Sequence, residues 1–243
     1  MFAFWDFAPL IFVSPVKTLL LWDIDGTLIA SGGAGMLALQ AGLHQALGIE
    51  GKLDDIDFAG RTDRWIVRRI FDKFSVAHTE DNFTRLIDGY IAALPAALLN
   101  PRARVLPGVR EILAQADARD DVAQGLLTGN LRRGAQTKLD HHGLWEFFPF
   151  GGFADDAELR NDISPHALRR AHEHAQVTFA PERVWVIGDT PHDIECGKVI
   201  GARTLAVATG SHTVAQLAAH HPDAVFADLA DTAAFWKIVA SVS

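Results

Sequence analysis

Two aspartates, Asp23 and Asp25, stand two residues apart at the end of an apolar run, in the segment Leu20-Leu21-Trp22-Asp23-Ile24-Asp25-Gly26-Thr27-Leu28. Carboxylates this close repel one another, and a hard divalent cation or a shared proton relieves the repulsion. One of them can attack a phosphoryl group to give an acyl phosphate while the other protonates the departing oxygen and later activates water. Taken alone, Asp-Ile-Asp-Gly also suits a plain polar turn after a strand. Two distant segments share its form. Thr128-Gly129-Asn130 closes the run Gln124 to Leu127, and Gly188-Asp189-Thr190-Pro191-His192-Asp193 closes the run Val184 to Ile187. A hydroxyl and free amides at a helix start suit an anion, although Thr128 and Asn130 also fit as simple helix caps. Asp193, four residues beyond Asp189, is expected at the same rim. A favourable helix dipole explains Asp193 by itself but not the whole Gly-Asp-x-x-x-Asp spacing.

These segments need elements to hold them. Thr18 to Trp22, Gln124 to Leu127 and Val184 to Ile187 read as buried strands, each followed by a helical pattern, with weaker strands at Thr204 to Val207 and Ala224 to Phe226. The helix after Asn130 is expected to be capped by that residue and stopped by Gly143, and Ser164-Pro165 offers the start of a helix over His166 to Ala175. Alternation of this kind implies an α/β fold, a Rossmann-like doubly wound parallel sheet with helices on both faces. Ligands bind such sheets beyond the carboxyl ends of the strands, which is where Asp23, Asp25, Thr128 and Asp189 fall.

Residues 31–104 have a different character, with long amphipathic stretches and no convincing strand. Arg61 to Phe74, capped by Thr62, and Thr79 to Leu99 read as helices, with Pro95 expected to bend or end the second. The resulting division is an N-terminal extension over 1–16, a core over 17–30 and 105–243, and a helical insertion over 31–104. Gly32-Gly33-Ala34-Gly35 reads as the hinge into the insertion, and Asn100-Pro101 with Leu106-Pro107-Gly108 as the return. Arg61 and Arg64 open an insertion helix and could be presented to an anionic substrate group, but ordinary exposed charges at a helix start explain them at least as well, and they are assigned no catalytic role.

The chain has 243 residues and a net charge of −8. That charge argues against a general affinity for nucleic acid, so any phosphate recognition is local. The single cysteine, Cys196, rules out an intramolecular disulfide, fits a reducing cytoplasm and reads as a small buried apolar residue. The apolar start, Met1 to Thr18, lacks a basic leader and a cleavage pattern and is too interrupted to span a bilayer; a surface extension is expected, and no membrane. The paired histidines, such as His141-His142 and His220-His221, lack the spacing of a zinc motif.

Hydrophobic-Asp-x-Asp-Gly-Thr-Leu at residues 22–28 resembles the first motif of the haloacid dehalogenase (HAD) superfamily. Thr128-Gly129-Asn130 is similar to its second motif and Gly188-Asp189-Thr190-Pro191-His192-Asp193 to its fourth, in the family's order across residues 19–195. The resemblance implies a phosphatase, phosphoglycolate phosphatase-like with a cap of the helical C1 type, that hydrolyses a small phosphate monoester. It implies Asp23 as nucleophile, Asp25 as acid and base, Thr128 and Gly129 against the phosphoryl oxygens, and Mg²⁺ held by Asp23, the Asp25 carbonyl and Asp189, with Asp193 as an additional ligand or behind them. The family's third motif usually carries a lysine, and Arg160-Asn161-Asp162-Ile163-Ser164-Pro165 has none. Arg160 is the natural stand-in, because a guanidinium supplies a permanent charge and a two-pronged fork to phosphate; Arg169 and Arg170 are the remaining candidates. The expected partner is a small phosphorylated metabolite, and the expected state a monomer or homodimer. A β-phosphoglucomutase-like mutase and a noncatalytic HAD-fold binding protein are the alternatives.

Overall fold

The computed structural model describes residues 18–241. The expected N-terminal extension, 1–16, lies outside them. Among the described residues strand β1 (Thr18–Trp22) comes first, followed by the two-residue β2 (Ile29–Ala30) and three helices, α1 (Ala34–Leu47), α2 (Asp63–Phe74) and α3 (Glu80–Leu98). Then come β3 (Arg104–Val105), α4 (Val109–Asp117), β4 (Val122–Leu127), α5 (Arg132–His141), β5 (Gly151–Gly152) and α6 (Arg160–Ala175). The chain ends with β6 (Val184–Gly188), α7 (Pro191–Val199), β7 (Arg203–Val207), α8 (Val214–Ala218), β8 (Ala224–Phe226) and α9 (Thr232–Ala240).

Six strands form one sheet in the order β5-β4-β1-β6-β7-β8, and every pairing is parallel. β1 is buried along its whole length because helices cover both faces, so its sequence, Thr-Leu-Leu-Leu-Trp, is a continuous apolar run rather than an alternating one. On one face Leu20 and Trp22 pack with Ile112, Leu139 and Phe235; on the other Leu19 and Leu21 pack with Ile163, Ala167 and Cys196. Register decides where the chemistry falls. Trp22 lies opposite both Leu126 and Ile187, so the turns after β1, β4 and β6 leave the sheet together. The strand order reverses at β1, and a parallel sheet opens its ligand crevice there.

β2 and β3 pair antiparallel, Ile29 with Val105 and Ala30 with Arg104, and form a two-stranded stalk at the root of the helical insertion. The insertion has its own core, with Leu43, Ile66, Ile70, Leu86 and Leu94 meeting between α1, α2 and α3. α1 and α3 touch backbone to backbone. A Cβ on Gly42 would sit 2.6 Å from the Tyr90 backbone nitrogen, so the close crossing requires glycine there and fixes where Tyr90 points.

Four local expectations are corrected. Asn130 does not cap α5; Leu131 holds that position, and the Asn130 side chain is used elsewhere. Helix α6 starts at Arg160, ahead of Ser164-Pro165. Pro165 cannot donate to the Asn161 carbonyl, but the Ser164 hydroxyl does so in its place at 2.9 Å, and the helix runs through. α3 likewise continues past Pro95 to Leu98 instead of ending there. Thr62 caps α2 as its sequence predicts, and Thr79, read as the first residue of its helix, instead caps α3; each accepts from the amide three residues on.

Candidate functional site

The turn after β1 is anchored by the Asp23 amide, which donates to the Ile187 carbonyl at 2.9 Å and so ties the first motif to the fourth. The Asp23 carboxylate is 4 % exposed, and the Arg160 Nη2 lies 2.8 Å from its Oδ1. Arg160 is the first residue of α6, and the same nitrogen also meets Asp193 Oδ1. Burial pushes the Asp23 carboxyl up to about 6, against the pull of Arg160 and with the help of Asp193 and Asp25. Between two buried carboxylates the Arg160 guanidinium is held well above its ordinary range, despite burial.

Asp189, at the end of β6, completes an acidic triad: one carboxylate oxygen from each of Asp23, Asp189 and Asp193 lies within 4.8 Å of the others. Asp189 Oδ1 is buried with no hydrogen-bond partner. Burial, then Asp193 and Asp23, raise its carboxyl to about 9. Glycine makes room for it on two sides, since a Cβ on Gly210 would fall 1.7 Å from Asp189 Oδ2 and one on Gly26 2.3 Å from the same atom. Asp193 differs in its commitments. Its Oδ2 accepts from the Thr190 amide at 3.0 Å and hydroxyl at 2.7 Å, in a capping box, and its Oδ1 faces Arg160. Within the triad Asp193 therefore orients Arg160, while Asp189 has an oxygen free. An orphaned carboxylate oxygen among buried acids fits a hard divalent cation, which takes oxygen ligands and removes the repulsion.

Asp25 faces a second cation. The Lys138 Nζ is 2.5 Å from its Oδ2 and the Asn130 amide donates to the same atom at 3.0 Å. Burial acts to raise the Asp25 carboxyl, but the charge and hydrogen bond of Lys138, with further hydrogen bonds from Asn130 and Ser31, outweigh it and hold the group below its ordinary value. Lys138 is 4 % exposed on the inner face of α5, also donating to Asn130 Oδ1 at 2.6 Å. Sequence reading misses Lys138, Asn130 as an Asp25 partner, and Asp63. The signal for Lys138 exists: it follows Gly134 and Ala135 by four and three residues on the buried face of α5, where the helical pattern calls for an apolar side chain.

Thr128 and Gly129 follow β4. Thr128 is fully buried and does not line the cavity; its hydroxyl accepts from the Asn130 side chain at 2.9 Å. Gly129 does line the cavity, and a Cβ there would meet the Arg61 carbonyl at 2.2 Å. The insertion closes onto this segment. The Asp63 amide donates to the Gly129 carbonyl at 2.7 Å, and Asp63 Oδ2 accepts from the Leu131 amide at 2.7 Å. Burial pushes the Asp63 carboxyl up to about 6, against the pull of Lys138. Thr62 donates to the Glu158 carbonyl and Arg64 Nε to the Ala154 carbonyl at 2.8 Å.

Arg169 pairs with exposed Glu173, and Arg170 binds Asp156 and the Gly151 carbonyl, so neither reaches the rim. Cys196 is fully buried, its thiol pushed up to about 12 by burial and its Sγ 3.3 Å from the Arg160 carbonyl. Among the described residues the acidic triad is the one cluster suited to a metal, and no helix is long and apolar enough to cross a membrane.

A parallel sheet with its acids at the β1 switch point and a helical insertion after β1 is the HAD-like fold, and this chain has it. Residues 161–232 match the HAD-hydrolase-like family. Over 219 residues the chain is 26 % identical to the probable phosphatase IndB of Dickeya dadantii, covering 86 % of this chain and 89 % of that protein. A predicted phosphoglycolate phosphatase from Haemophilus somnus superposes with a TM-score of 0.70 at 19 % identity, over 90 % of this chain and 98 % of that one. A putative β-phosphoglucomutase from Bacteroides vulgatus superposes with a TM-score of 0.68 at 19 % identity, over 93 % and 90 %. CbbY from Rhodobacter sphaeroides, solved in complex with phosphate, gives 0.68 at 17 % identity, over 88 % and 96 %.

Proposed function

We propose that this chain is a phosphatase that hydrolyses a small phosphate monoester through an aspartyl phosphate on Asp23. The observation that carries the reading is the placement of Asp23 and Arg160: a buried carboxylate at the rim with a guanidinium nitrogen 2.8 Å from one oxygen. Arg160 neutralises the approach of a phosphoryl group to a carboxylate, and the cluster is dry enough for that charge to count. An Asp23 oxygen attacks phosphorus, the bond to the ester oxygen breaks, and Asp25 gives a proton to the departing alkoxide from its protonated form, the minor one beside Lys138. Asp25, left ionised beside Lys138, then takes a proton from water, the water oxygen attacks the aspartyl phosphate, and Asp23 is released with inorganic phosphate. The Gly129 amide, the Asn130 segment and Arg160 supply donors to the transferring oxygens.

Mg²⁺ is the cofactor this reading assigns, held by Asp23, Asp189 and the Asp25 carbonyl, where it supplies the positive charge that lets these acids and a phosphate share one cavity. Asp193 acts behind them through Arg160. The similarity to a probable phosphatase across most of both chains supports the same reaction class.

The test is release of p-nitrophenol from p-nitrophenyl phosphate with Mg²⁺, with EDTA and in Asp23→Asn. Turnover with metal, its loss in EDTA and its loss in the variant are expected. Undiminished turnover in Asp23→Asn removes the nucleophile assignment, and turnover unaffected by EDTA removes the metal.

A further inference from the structure

Asp23, Arg160 and Asp189 line one end of a cavity of about 500 Å³, partly open to solvent, between the sheet rim and the insertion. This end is matched to a phosphoryl group. The remaining wall comes from the insertion, and Met36, Leu39, Phe58 and Ile66 make it apolar. That wall is where a leaving alcohol must lie if the ester is attacked from Asp23.

Three cationic side chains line the cavity, Arg61, Lys138 and Arg160, and each is already committed. Arg160 is divided between Asp23 and Asp193. Lys138 is held by Asp25 and Asn130. Arg61 Nε pairs with Asp57 at 3.2 Å while its guanidinium lies 4.7 Å from the Trp65 ring centroid. Each of the three cations that line the cavity already has a carboxylate partner, the exposed Arg61–Asp57 pair being the loosest. Asp25 and Asp63 would repel one, and desolvating an unpaired anion against an apolar wall adds a further cost. The polar groups that do remain free suit a neutral partner: the Tyr90 hydroxyl and the second oxygen of Asp63 line the cavity with no hydrogen bond to any described residue.

We infer that the alcohol released by this site is uncharged and presents a largely apolar body to the insertion, and that esters carrying a second anionic group, such as a carboxylate, are rejected. The inference rests on the phosphatase reading for its orientation of substrate. It distinguishes this cavity from one built for phosphoglycolate, whose leaving group carries a carboxylate that would need a free cation.

The experiment compares a matched pair that differs only at the far end, n-hexyl phosphate and 6-phosphonooxyhexanoate, with the full chain in Mg²⁺. Binding of the corresponding non-hydrolysable phosphonates, heptylphosphonate and 7-phosphonoheptanoate, is measured by calorimetry. The alkyl member of each pair is expected to be favoured about tenfold or more, in kcat/KM and in Kd. Met36→Lys, which places a cation on the half-buried part of the wall, is expected to shrink that preference several-fold. Equal or tighter binding of the carboxylate phosphonate by the wild-type protein overturns the inference, as does binding of neither. Selective binding of heptylphosphonate without turnover of either ester upholds the inference about the cavity and sinks the phosphatase reading, so the two fail separately.

Discussion

Replacing Asp189 by asparagine tests whether this carboxylate is a metal ligand waiting with a proton in its place. In the metal-free protein burial and the neighbouring Asp193 and Asp23 raise the Asp189 carboxyl from 3.8 to about 9. Between those values the folded chain holds a proton that the unfolded chain has released, so stability falls as pH rises. The slope is set by one proton and amounts to roughly 1.4 kcal/mol per pH unit, or roughly 3 kcal/mol from pH 6.5 to 8.5. Asp23, raised only to about 6, has largely finished titrating below that window. The amide introduced by Asp189→Asn is the isostere of the protonated acid and does not titrate. The difference in stability between wild type and variant therefore isolates the proton, since contributions from the histidines are common to both chains.

Urea denaturation in EDTA at several pH values across this window gives the difference. The variant is expected to be the more stable chain already at pH 6.5, because the wild type begins to lose stability above pH 3.8, and its advantage is expected to grow by roughly 3 kcal/mol between pH 6.5 and 8.5. Saturating Mg²⁺ should displace the proton, flatten the wild-type slope and stabilise the wild type, while leaving the variant nearly unchanged. Parallel pH profiles for the two chains in EDTA would refute the raised carboxyl, and equal stabilisation of both by Mg²⁺ would refute Asp189 as a ligand.

Arg160→Met leaves Asp23 and Asp193 buried without their shared cation and should cost about 3–5 kcal/mol at neutral pH, read as a lowered urea midpoint; an unchanged midpoint would mean the pair is not held as described. Lys138→Met removes the group that keeps Asp25 ionised, so burial takes over and the Asp25 carboxyl rises. A base works above its pKa, so the acid limb of kcat should move to higher pH in that variant, and an unmoved limb in the pH–rate profile would detach Lys138 from Asp25. Gly210→Ala puts a methyl 1.7 Å from Asp189 Oδ2 and must push the carboxylate aside. Loss of Mg²⁺-induced stabilisation with the far-UV circular dichroism preserved is the expected result; retained stabilisation would show that the pocket around Asp189 is looser than the close approach of Gly210 implies.

The residues legible in the sequence are those whose roles depend on the backbone next to them. Asp23, Asp25 and Asp189 each end an apolar run, and a parallel sheet carries the ends of its strands to one rim whatever lies between them in the chain. Arg160 is legible by its place between two motifs, ahead of a helix, although the extent of that helix is not. Ser164-Pro165 has the form of a helix start, and nothing local reveals that the Ser164 hydroxyl satisfies the carbonyl Pro165 leaves open. The β2–β3 stalk is hidden because two residues on each side form no periodic pattern, and their partners are about 75 positions apart, as Ile29 and Val105 are.

Lys138, Asp63 and Tyr90 belong to a different kind of residue. None ends a strand or sits in a motif, and each reaches the cavity from the middle or start of a helix whose direction is fixed by packing. α5 turns Lys138 inward because Ala135 and Leu139 on the same face are buried in the core. The Gly42 crossing brings α3 close enough to aim Tyr90 at the cavity, and Asp63 is locked to Gly129 and Leu131 by hydrogen bonds at both its amide and its carboxylate. The Asp63 bonds join the insertion to the segment whose Gly129 and Asn130 line the cavity. Displacing the insertion would break both hydrogen bonds and take Asp63 from the neighbourhood of Lys138. Asp63 is thus the residue through which the insertion is bonded to the Gly129–Leu131 segment of the core.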